Sequence, residues 1–76
     1  MSRFIRVKNL LFPVSEIRAI YVKDKTISII PTKPYKDAEY TDTDNCRFYR
    51  NRSEIDFRSE GEARITFDYL LEDLSD

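Results

Sequence analysis

The stretch Ser59-Glu60-Gly61-Glu62-Ala63-Arg64-Ile65-Thr66-Phe67-Asp68-Tyr69-Leu70-Leu71-Glu72-Asp73-Leu74-Ser75-Asp76 decides the fold. Ser59 stands where an N-cap belongs. Glu62, three positions on, is placed to accept from the Ser59 N–H and complete a capping box. At roughly 100° per residue, Ala63, Phe67, Leu70, Leu71 and Leu74 share one apolar arc, so the spacing predicts an amphipathic helix over about 60–74. Ile65 and Tyr69 point nearly the opposite way, among Glu62, Asp68, Glu72 and Asp73. One apolar face suits a core. The second face of so small a chain points to a partner, unless the 31–45 segment folds over it with Tyr35 or Tyr40.

Upstream of the helix the pattern has the two-residue period of strands. Ile5 and Val7 alternate with Phe4, Arg6 and Lys8; Ile27 and Ile29 alternate with Thr26 and Ser28; Ile55 and Phe57 alternate with Glu54, Asp56 and Arg58. Strands are expected at about 3–8, 10–14, 17–22, 26–30, 46–50 and 54–58, with a turn at Asn9, a hairpin through Lys23-Asp24-Lys25 and a second through Asn51-Arg52-Ser53. Pro13 suits a sheet edge or a strand end. Residues 31–45, rich in turn-forming side chains, read as a long loop. With one glycine in the chain, Gly61, the strongest hairpin dipeptides are missing. The expected architecture is α+β: one antiparallel sheet of five or six short strands, covered by the C-terminal helix.

Size and composition narrow the function. Seventy-six residues make one domain, close to the size where a single core becomes marginal, and ten aromatic residues supply much of the area to bury. The net charge of −1 hides an asymmetry: residues 1–36 carry eight cations against two acids, residues 37–76 five cations against twelve acids. Such polarity suits head-to-tail self-association, unless strands of both halves mix the charges in one sheet. A single cysteine, Cys46, excludes an internal disulfide and suggests a reducing, cytoplasmic setting. No run approaches the ~20 apolar residues of a membrane span.

Catalysis is disfavoured. No histidine is present to act as a base near neutral pH, and glycines are too few for a phosphate-cradling loop. Asp37, Glu39, Asp42, Asp44 and Asn45 crowd one loop, yet Cys46 and Arg47 stand where a calcium loop needs an oxygen ligand and a glycine, so no metal or other cofactor is expected. Two binding surfaces remain. A protein partner, or a second copy in a homo-oligomer, would meet Ile65 and Tyr69, with Asp37, Glu39, Asp42 and Asp44 as an acidic surface for a basic groove. Alternatively Arg47, Tyr49, Arg50 and Arg52 interleave cations with a ring on a hairpin, as single-stranded nucleic acid requires, although Glu54 and Asp56 on the paired strand oppose it. In size and composition alone the chain resembles phage-encoded stoichiometric inhibitors such as anti-CRISPR proteins. The reading is a non-enzymatic interaction module, an inhibitor or accessory subunit.

Overall fold

The computed structural model describes residues 3–8, 10–34 and 46–75. The described elements are β1 (Phe4–Val7), β2 (Leu10–Pro13), a 3-10 turn (Val14–Glu16), β3 (Ile17–Lys23), β4 (Thr26–Pro31), β5 (Cys46–Phe48), β6 (Ser53–Asp56) and α1 (Glu60–Leu74). The α+β class and the single C-terminal helix are as expected. The strands, however, divide into two antiparallel sheets: β1 with β2, and a larger sheet in the order β3-β4-β6-β5. Lys8, in the left-handed region at φ 57°, folds β1 back on β2. β2 then ends at Pro13, which has no N–H to offer, and the 3-10 turn leads the chain away, so the hairpin's ladder stops there. The Val14 N–H donates to the Arg3 carbonyl at 2.9 Å and closes its open end.

Register assigns each side chain of the larger sheet to a face. Val22, Ile27, Ile55 and Cys46 lie in one cross-strand row, and Ile20, Ile29, Ser53 and Phe48 in another. These rows face inward. Between them, with the opposite pleat, run Tyr21, Ser28, Glu54 and Arg47, and beyond them Lys23, Thr26 and Asp56. The β3–β4 hairpin turns through Asp24 and Lys25 as expected, with Asp24 at φ 54°.

A second layer covers the inner rows. Ile5, Val7 and Phe12 point into the core from the β1–β2 hairpin, and Ala63 and Leu70 from α1. Each such large side chain contributes about 1.5–3 kcal/mol on full burial. α1 contacts β1, β3 and β4, while the Phe12 and Phe48 rings, 6.5 Å apart, set the hairpin over β5. Helix and hairpin therefore lie side by side on the sheet as its second layer.

Several local expectations are corrected. Leu71, assigned to the core stripe, is 44% exposed; it lies at the margin of the arc, and Phe67 and Leu74 are themselves only partly buried. The second hairpin turns at Tyr49–Arg52, closed by the Tyr49 N–H donating to the Arg52 carbonyl at 2.8 Å, so Ser53 opens β6 and is buried. β6 ends at Asp56, and the Phe57 N–H adds one last bond in the β4–β6 register, donating to the Lys25 carbonyl at 2.8 Å before the chain turns into α1. Ser59 does cap α1, its Oγ accepting from the Glu62 N–H at 3.1 Å. The Glu62 carboxylate, though, accepts from the Arg58 N–H at 3.4 Å, one residue before the cap. At the other end the last turn has no basic side chain of its own, and the Arg3 guanidinium donates to the Asp73 carbonyl, supplying a cation where the helix dipole is negative.

Candidate functional site: the helix face and the open sheet face

Two exposed surfaces carry the predicted residues. On α1, the inner stripe directs Ile65 and Tyr69 away from the sheet, and they are 60% and 65% exposed. They sit one turn apart and are rimmed by the exposed side chains of Glu62, Asp68, Glu72 and Asp73, none of which forms an ion pair among the described residues. The surface thus has an apolar centre, a phenol and an anionic rim. Asp37, Glu39, Asp42 and Asp44 lie outside the described residues.

The second surface is the outer face of the larger sheet. Strand alternation brings Arg47 onto it, and the turn adds Tyr49 and Arg52. The Arg52 guanidinium lies 4.3 Å from the Tyr49 ring centroid, a cation–π arrangement, and its Nε donates to Glu54 at 2.9 Å. Arg47 donates to Asp56 at 2.6 and 3.1 Å and to Glu54 at 3.3 Å. Arg50 occupies the same turn and is exposed, outside this network. The hydrogen bond from Arg52 holds the Glu54 carboxyl below its usual value, and the one from Arg47 does the same for Asp56. Beside this network a shallow trough of about 400 Å³ has Ser28 in its floor, with Tyr21 on one side and Arg52 and Glu54 on the other.

The hairpin therefore gathers Arg47, Tyr49 and Arg52 as the sequence suggested, with two carboxylates in their midst. A phosphate backbone would have to displace Glu54 and Asp56 from the guanidinium groups and meet their charge. Cys46 is buried in an inner row beside Ile55, a packing position and not an exposed nucleophile. Among the described residues no three His, Cys, Asp or Glu side chains converge to hold a metal ion. Nor is any described helix long and apolar enough to cross a membrane.

Sequence reasoning missed one surface. Phe4 and Leu11 are 55% and 59% exposed, on the side of the β1–β2 hairpin turned away from the core. The signal was present in the alternation that sets Phe4 opposite Ile5 and Val7, but it required knowing that β1 and β2 pair only with each other.

No family model, curated protein or solved structure matches this chain.

Proposed function

We propose that the chain is a non-enzymatic protein-binding module that, through the outer face of α1, self-associates or docks on a larger protein as a stoichiometric inhibitor or an accessory subunit. The observation that carries this reading is the exposure of Ile65 and Tyr69. An isoleucine and a tyrosine one helical turn apart, ringed by carboxylates, have the composition of an interface centre with a polar rim. Tyrosine suits that place because it buries a large area while its hydroxyl keeps a hydrogen bond. The rim calls for a cationic partner surface with an apolar recess. The pairing of Arg47 and Arg52 with Glu54 and Asp56 favours this reading over nucleic-acid binding.

The test is affinity purification from the native host with wild-type, Tyr69→Asp and Ile65→Asp baits, captured proteins being identified by mass spectrometry. Both variants are expected to unfold at the wild-type temperature and to lose the specific partner. Retention of the same partner by both, or loss of folding in both, overturns the reading.

A further inference from the structure

The chemistry that the α1 face requires of a partner is present on the same side of this molecule. Because α1 and the β1–β2 hairpin lie side by side, the surfaces they turn away from the larger sheet point the same way. On the hairpin, Phe4 pairs with Pro13 and Arg6 with Leu11, which makes Phe4 and Leu11 diagonal neighbours on that outer surface, with Arg6 between them. Arg3 and Lys8 stand at its two ends, the Arg3 guanidinium donating to the Asp73 carbonyl and the Lys8 ammonium to the Asp56 carbonyl at 2.6 Å. Arg6 is therefore the cation of the outer surface itself, and the segment contains no carboxylate. α1 carries Glu60, Glu62, Asp68, Glu72 and Asp73 against the single cation Arg64. One face of the chain thus holds an apolar pair with Arg6 beside it, on a segment of net positive charge, next to an apolar pair in an anionic rim.

We infer that the partner of this face is a second copy of the chain, bound about a two-fold axis that lies in the interface along the seam between helix and hairpin. Rotation about that axis sets the acidic helix of each copy over the basic hairpin of the other, both contacts forming at once, as a closed two-fold dimer requires. Ile65 and Tyr69 of one copy meet Phe4 and Leu11 of the next. The charge distribution selects this arrangement, since helix against helix would oppose carboxylate to carboxylate. The inference rests on the protein-binding reading of α1 and names the partner.

Sedimentation equilibrium of the whole chain through the micromolar range tests it. A dimer that weakens as salt rises is expected, with no larger species. Tyr69→Asp and Leu11→Asp are each expected to raise the dissociation constant about tenfold or more, with an unfolding temperature equal to wild type when read at concentrations where both are monomers. Tyr69→Ser and Leu11→Ser replace them should either aspartate destabilise the fold. A chain combining Arg6→Glu with Asp68→Lys and Glu72→Lys is expected to dimerise better than a chain with either charge change alone. A monomer at low salt, growth beyond the dimer, or no recovery in the combined variant overturns the arrangement. A monomeric wild type whose host partner is still lost with Tyr69→Asp removes the second copy and keeps the α1 reading. A dimer indifferent to Tyr69→Asp and Ile65→Asp, with host capture equally indifferent, removes both.

Discussion

Arg47 and Asp56 are joined by a two-pronged bridge across the β5–β6 ladder, Nη1 donating to Oδ2 at 2.6 Å and Nη2 to Oδ1 at 3.1 Å. They are diagonal neighbours, for the direct cross-strand partner of Arg47 is Glu54. Both carboxyls are held below their ordinary values, so they add to stability at neutral pH. That contribution is complete above the unfolded carboxylate range of about 4 and is lost as pH falls through the lowered folded values. Thermal unfolding should show Asp56→Asn less stable than wild type at pH 7 by under about 1 kcal/mol, since the pair is part-exposed. At acid pH the gap should close; a gap that persists unchanged would show that the bridge contributes nothing.

Leu70 and Leu71 are adjacent and predict opposite outcomes. Leu70 is buried against the core, and Leu70→Ala should cost about 2–4 kcal/mol in denaturant unfolding. Leu71→Ala should cost about 0.5 kcal/mol or less. Equal losses would mean that Leu71 is packed after all.

The α1 cap offers a local check. Ser59→Ala removes the acceptor for the Glu62 N–H and should destabilise the chain by about 1 kcal/mol, with Ser59→Asp close to neutral. Glu62→Gln keeps an oxygen for the Arg58 N–H and should cost less than Ser59→Ala.

Nucleic-acid affinity should be governed by the acids, not only by the arginines. In a low-salt gel shift with single-stranded oligonucleotides, the wild type should bind weakly. The variant Glu54→Gln/Asp56→Asn, which frees Arg47 and Arg52, should bind several-fold more tightly. Tight wild-type binding that Arg52→Ala abolishes would instead make the hairpin the functional surface.

Much of this fold is legible in the chain because its signals are local. The alternations through Ile5, Ile27 and Ile55, the cap at Ser59 and the apolar arc of α1 need only neighbours along the sequence. The two-residue turn at Asp24 and Lys25 is readable for the same reason. What escapes is pairing. Pro13 marks the end of β2 but does not say which strand β2 pairs with, and the turn at Tyr49–Arg52 has no glycine to mark it. Leu71 was misplaced because an arc on a helical projection says nothing of how wide a surface the rest of the chain can cover. In the candidate site, Ile65 and Tyr69 stood out by position, whereas the neutralisation of Arg47 and Arg52 depended on side-chain geometry that only the folded hairpin supplies.

The bond from the Arg3 guanidinium to the Asp73 carbonyl spans 70 positions in the sequence. Beside it, Ile5 and Val7 share the core with Ala63 and Leu70. The loop closed by these contacts contains nearly the whole described chain, so its entropic cost is met only once everything between is in place. β1 and α1 therefore have no folded life apart from each other. Their amides should exchange with solvent as one cooperative unit, and fraying the last helical turn should release the first strand with it.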